Sequence, residues 1–181
     1  MSSSCIAPPR LREDARILHR RDADIDRAED RALRRLLFAS FPFRPVFLLR
    51  RYSFQPPAHR WFVRDDCGNF FAHAALHERT IGTTRGEVRI GGVAEVCVAR
   101  GRRGCGLAKQ LLATIDDWLR ADGVPFAVLF GRPEIYRSSG YTPITNPLRP
   151  RRFPFSRKAM VKVLADEAWP AGLIDLRGPG F

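Results

Sequence analysis

The chain has 181 residues, 45% hydrophobic and 28% charged, which is enough for one domain with a full hydrophobic core and short for two. Both fractions lie near the globular average, and no apolar run approaches the ~20 residues of a membrane-spanning helix, so a chain disordered throughout and a bundle of spanning helices are excluded. The 31 basic against 19 acidic residues give a formal charge of +12 and a pI of about 10.8; this favours anionic partners, but nearly all of the excess is arginine, so charge singles out no function.

The amino terminus, "MSSSCIAPPRLRED", lacks the apolar segment of a signal peptide, and a cytoplasmic location is expected. Cys5, Cys67, Cys97 and Cys105 show no CxxC spacing, so reduced thiols are expected. Along the chain, "ARILHR" (15–20) reads as a strand. A helix follows, with Ile25, Ala28, Ala32, Leu33, Leu36 and Leu37 at helical spacing, a cap at Asp24 and an end before Pro42. Residues 42–58 hold Pro42, Pro45, Pro56 and Pro57 and read as an irregular connection with a short extended piece at "VFLLRR". "HRWFVRD" and "NFFAHAALHERTI" form a hairpin across "DCG", and "GTTRG" turns the chain into "EVRIGGVAEVCVA", giving an antiparallel meander. The Gly91-Gly92 pair predicts a bulge or a close backbone approach. His73 and His77 share one face of the second strand, but no third ligand stands near in sequence and no metal site is expected.

From Gly104 to Asp122 the residues Leu107, Leu111, Leu112, Ile115, Trp118 and Leu119 mark one face of a helix that stops at Gly123. "PFAVLFG" reads as a buried strand, and "RPEIYRSSG" as a short helix with Pro133 in its first turn and Gly140 at its end. "MVKVLA" (160–165) is the last strand, and the tail 166–181 has few regular signals. No internal repeat or dividing linker appears, so 1–181 is expected to be one domain with flexible residues 1–12.

The corner between "VAEVCVA" and the helix carries the chemistry. A helix start exposes main-chain N–H groups at the positive end of the helix dipole, and the glycines let an anion approach them. A Walker A loop fails because Gly106 is followed by Leu107; a dinucleotide fingerprint fails because Lys109 occupies its third glycine position. The pattern R-x-x-G-x-A is met by Arg103-Gly104-Cys105-Gly106-Leu107-Ala108. With the preceding meander, the following helix and strand, and "YRSSGYTPI", this resembles the acetyl-CoA pyrophosphate loop and general plan of the GNAT N-acetyltransferase superfamily from about Ala15 to Ala165. The stretches "AHAALHERTI…GEVRIGGVAEV", "DGVPFAVLFGRPEIY" and "WPAGLIDLRGP" are similar to nodulation N-acyltransferases, and the overall plan to aminoglycoside 2'-N-acetyltransferases. Both act on amino sugars.

The resemblance implies an α/β (α+β) GNAT fold, with a central mixed, mostly antiparallel sheet splayed at the cofactor site and flanked by helices. It implies acetyl-CoA as acyl donor, with the pyrophosphate on the N–H groups around Arg102, Arg103, Gly104, Cys105, Gly106, Leu107, Ala108 and Lys109, and the pantetheine arm along Val96, Cys97 and Val98. Attack on a thioester needs a neutral amine, so a base or a water chain must take a proton. Glu95 is the candidate base, with an ion pair to an arginine as its alternative role and Glu134 in reserve. Tyr136, four residues before Gly140, is the implied acid for the departing thiolate. The expected partner is a small-molecule amine, an aminoglycoside or other amino sugar, with antibiotic resistance as one setting; no nucleic acid and no membrane partner is expected, and a homodimer is compatible. A longer acyl donor, or a nucleic-acid-binding module using the same arginines, are the alternatives.

Overall fold

In a computed structural model, which describes residues 16–149 and 158–178, one nine-stranded sheet organises the chain. It begins with β1 (Leu18–Arg21), and α1 (Arg27–Ser40) follows a 3₁₀ turn at Asp22–Asp24. Asp24 lies in that turn and does not cap the helix. Asp26 does: its Oδ1 accepts from the N–H groups of Ala28 and Glu29 at 2.7 and 2.8 Å, while Glu29 Oε2 accepts from the Asp26 N–H at 3.3 Å.

The meander is β2 (His59–Arg64), β3 (Phe70–Thr83) and β4 (Gly86–Val98), and α2 (Leu107–Ala121) follows. Then come β5 (Phe126–Gly131), the single turn α3 (Pro133–Tyr136), β6 (Thr142–Pro143), β7 (Leu148–Arg149), β8 (Lys158–Val163) and β9 (Ile174–Asp175). The strand order is β1-β2-β3-β4-β5-β8-β6, with β9 pairing β3 and β7. Among the described residues only β4–β5 and β7–β9 are parallel, as the resemblance implies for a mixed, mostly antiparallel sheet.

Two layers close on the sheet. Leu107, Leu111, Leu112, Ile115 and Leu119 of α2 pack with Trp61, Leu76, Val93 and Leu129 on one face. Leu33, Leu36 and Leu37 of α1 pack with Phe47, Phe62, Phe70 and Cys97 on the other. At the far end the tail is more ordered than its sequence signals: Ile174 and Leu176 are buried with Ile81, Ile90, Phe126 and Val128. The last long strand starts at Lys158 and ends at Val163.

Two further expectations change. "VFLLRR" is not extended: Pro45–Leu48 form a 3₁₀ turn that buries Phe47 beneath α1. The bulge is not at Gly91-Gly92. The pairing His73↔Cys97 is followed by Ala75↔Ala94, so the extra residue lies at Glu95-Val96, and Glu95 has φ +53°. Gly91 serves the other purpose, since a Cβ there would stand 2.5 Å from Leu119 Cδ1. Residues 1–12, expected to be flexible, and 150–157 lie outside the described residues, and no described helix is long and apolar enough to cross a membrane.

Candidate active site

The parallel strands β4 and β5 pair only at Gly91↔Ala127, Gly92↔Val128 and Val93↔Leu129. Beyond these β4 continues to Val98 and β5 to Gly131 without pairing to each other, so a slot opens toward the start of α2. The Ala99 N–H bonds the Phe71 carbonyl at 2.8 Å. In an antiparallel ladder the residues that address a given neighbour alternate. Cys97 therefore belongs to the β3 ladder, and Val96 and Val98 turn their main-chain groups to the slot. The thiol of Cys97 is buried on the α1 side, and burial pushes it up to about 12, which leaves it no nucleophilic role.

The corner closes the slot. A 3₁₀ turn at Arg100–Arg102 leads into Arg103, Gly104 and Cys105, and Gly106 is the N-cap of α2 at φ +75°, without a side-chain cap. Its first intrahelical bond runs from the Gln110 N–H to the Gly106 carbonyl at 3.0 Å. The N–H groups of Gly106, Leu107, Ala108 and Lys109 thus precede the ladder, at the positive end of a 15-residue helix. Gly104 and Gly106 both have positive φ, and nothing lies within 4 Å of a Cβ built on either. The corner is therefore open backbone at the helix start. Leu107 is buried and anchors it, while Lys109 stays exposed on the first turn. Arg103 Nε donates to the Val98 carbonyl at 3.1 Å, and the Arg102 guanidinium lies 5.2 Å from the Phe71 ring centroid. Both side chains brace the corner against β4 and β3.

Tyr136 ends α3 at the rim of β5. A Cβ at Gly131 would fall 2.3 Å from Tyr136 Cε2, so the ring lies directly on the strand backbone, with the buried Tyr141 ring 6.2 Å away. Glu134 is exposed on the same turn.

Glu95 faces the α1 layer and is bound on both oxygens. Oε1 accepts from the Ser53 N–H at 3.0 Å and Oε2 from Arg60 Nη1 at 3.1 Å. Its side chain is 7% exposed and Arg60 is fully buried. Burial pushes the Glu95 carboxyl up, and Arg60 and the Ser53 N–H pull it back without cancelling the rise. Arg60 also donates through Nε to Asp22 Oδ1, through Nη1 to His73 Nε2 and through Nη2 to the Arg51 carbonyl. Arg51 forks onto Asp22 at 2.9 and 2.7 Å and reaches Asp30 at 3.1 Å. Burial is the largest influence on Asp22 and would raise it, but the bonds from Arg51 and Arg60 together bring it below the usual range.

The alternative role of Glu95, an ion pair with an arginine, is met by Arg60. The rest of the network was missed by sequence reasoning, although the alternation of "HRWFVRD" puts Arg60 on the inward face with Phe62.

The chain matches the acetyltransferase (GNAT) domain family over residues 31–144. Among solved structures, it is similar to the GNAT family N-acetyltransferase YhbS from Escherichia coli in complex with CoA, at 24% identity over 90% of this chain and 91% of that one, with a TM-score of 0.68. An acyl-CoA N-acyltransferase from Pseudomonas aeruginosa is 18% identical over 81% of this chain and 98% of its own, with a TM-score of 0.61. Escherichia coli ElaA has the same coverage and TM-score at 14% identity. No curated protein matches the chain.

Proposed function

The chain belongs to the GNAT acetyltransferase family, and from that membership we propose that it binds acetyl-CoA in the slot between β4 and β5 and transfers the acetyl group to a primary amine of a small molecule. The observation that carries this reading is the junction of two features: β4 and β5 part beyond Val93 and Leu129, and the uncapped N-terminus of α2 stands where they part. The pyrophosphate would rest on the N–H groups of Gly106 to Lys109, and the pantetheine amides would meet Val96 and Val98 as an added strand does.

In the reaction a neutral amine nitrogen bonds the thioester carbon, the nitrogen loses a proton and the C–S bond breaks. The Tyr136 hydroxyl protonates the departing thiolate and regains a proton from solvent. With both Glu95 oxygens bonded and the side chain buried, the amine proton leaves through water to solvent.

For the acceptor, the sequence stretches similar to amino-sugar N-acyltransferases support an amino sugar. Charge orders the candidates: Arg50 stands beside Ser53, and the exposed Arg132 follows β5. These arginines favour amino sugars of low positive charge over polycationic aminoglycosides. A second reading, a longer acyl donor, is favoured by Phe43, Leu48, Leu49 and Phe54, which the α1–β2 connection exposes. The test is CoA thiol release with acetyl-CoA and octanoyl-CoA against a panel of amines. Amino sugars with acetyl-CoA should give the highest kcat/KM. A wide margin for a peptide amine or an arylamine would overturn the acceptor, and a preference for octanoyl-CoA would overturn the donor.

A further inference from the structure

The network around Arg60 connects two places that chain order keeps far apart, the β4 bulge and the connection 42–58. A guanidinium only donates hydrogen bonds, so His73 Nε2 must accept from Arg60 Nη1. His73 is then the neutral Nδ1–H tautomer, and Nδ1 donates to the Glu95 carbonyl at 3.1 Å. Burial holds the imidazole well below its ordinary value, in keeping with a neutral ring. Glu95 is thereby gripped at its carbonyl by His73 and at its carboxylate by Arg60, which maintains a non-glycine residue at positive φ.

The free oxygen of that carboxylate does not face open space. It takes the N–H of Ser53, in a connection that is also fixed elsewhere: Arg34 Nη1 of α1 donates to the Leu48 carbonyl at 2.7 Å, Arg60 Nη2 to the Arg51 carbonyl at 2.7 Å, and the Arg51 side chain to Asp22 and Asp30. Arg44 Nη1 and Arg50 Nη2 then bond the Ser53 Oγ and carbonyl, each at 2.8 Å. All three polar groups of Ser53 are committed. Residues 48–53 are thus laid over the bulge that borders the slot, on the face of the sheet opposite α2.

We infer that Glu95 is a positioning residue: through the Ser53 N–H it fixes residues 48–53 as a wall of the acceptor site, and it shapes acceptor binding without taking the amine proton. Its place beside the acceptor rests on the acetyl-transfer reading; its hold on the connection does not.

Two variants separate positioning from base catalysis because they act in opposite ways. Ser53→Pro removes the N–H donor, and with it the hydroxyl that Arg44 bonds, and leaves every carboxylate in place. Glu95→Gln removes the base and keeps an oxygen for the Ser53 N–H, while its amide NH2 takes the place of the oxygen that faced Arg60. Under the inference, Ser53→Pro raises the acceptor KM about tenfold, the usual worth of a hydrogen bond to a charged group, and leaves kcat within about threefold. Glu95→Gln keeps kcat within about threefold and keeps the acid limb of the pH–rate profile. A fall of kcat by about 100-fold or more in Glu95→Gln, with the acid limb lost, overturns the inference, and so does an unchanged acceptor KM in Ser53→Pro. Should Ser53→Pro fail to fold, Glu95→Gln alone decides. Hydrogen exchange of the free protein needs no substrate: amides of residues 44–53 should exchange faster in Ser53→Pro while those of α2 stay as in wild type, and unchanged exchange at 44–53 overturns the inference even if no amine is acetylated.

Discussion

The corner at Arg103–Lys109 and the interior around Arg60 are both dense in polar groups, and they dispose of them in opposite ways. At the corner, main-chain donors precede the helix ladder, two glycines hold positive φ over open space, and no side chain caps the helix. Around Arg60, two arginines and three carboxylates satisfy one another, with Asp22 taking both guanidiniums. An arrangement that leaves its donors unanswered is suited to receive charge from a ligand. One that neutralises itself stores its polarity as rigidity, because removing any member strands another in a low dielectric.

The largest expected effects fall on opposite sides of this contrast. Tyr136→Phe keeps the ring on Gly131 and removes only the hydroxyl, so kcat should fall ~10²–10⁴-fold while the urea midpoint barely moves. A variant within about threefold of wild type in single-turnover rate would leave Tyr136 a packing residue. Arg60→Met should do the reverse: with Glu95 left buried without an ion partner and Asp22 left with Arg51 alone, stability should fall by ~3–5 kcal/mol in chemical denaturation. A loss below about 1 kcal/mol would show that the network is not a structural unit.

Acid should reach the network side next. His77 is buried near Arg79 and Arg60, and burial, with those charges, lowers it from the usual 6.5 to about 4. The folded protein therefore refuses a proton that the unfolded chain accepts below pH 6.5. Stability from this group is complete above that pH and is lost as the pH falls toward about 4, by up to about 3 kcal/mol. Urea titrations across this range should show the decline, and it should shrink in a folded His77→Gln variant, the remainder coming from His73, which burial also holds well below its ordinary value. The smallest effect is ionic. Raising salt from ~0.05 to ~0.5 M should weaken acetyl-CoA binding a few-fold, since the corner is exposed, and should change the urea midpoint little.

The same contrast explains what the sequence made legible. The corner is a local pattern, R-x-x-G-x-A between an apolar strand and an amphipathic helix, and each of its devices acts over a few residues. The meander follows from periodicity and turn signals, and the slot was implied by the family resemblance. The network joins residues 22, 51, 53, 60 and 95, and no periodicity links them; Glu95 could be named but its partners could not. The glycine pair invited a bulge because both a bulge and a close approach want glycine, and only the position of Leu119 separates the two at Gly91. At Glu95 the conformation is imposed from across the sheet by His73, so a residue type that disfavours it gives no warning. The run "VFLLRR" was too short for periodicity to distinguish a strand from the turn that Pro45 starts. The true cap of α1 was readable: Asp26 and Glu29 have the D-x-x-E spacing of a capping box.

Calorimetric titration of acetyl-CoA into the wild type, Gly106→Val and Glu95→Gln tests most directly the claim that the two regions have separate duties. The wild type should bind, Glu95→Gln should bind with the same affinity, and Gly106→Val should lose about tenfold or more, because its side chain would occupy space that is open in the protein. Equal affinity in a folded Gly106→Val, or a matching loss in Glu95→Gln, would contradict it.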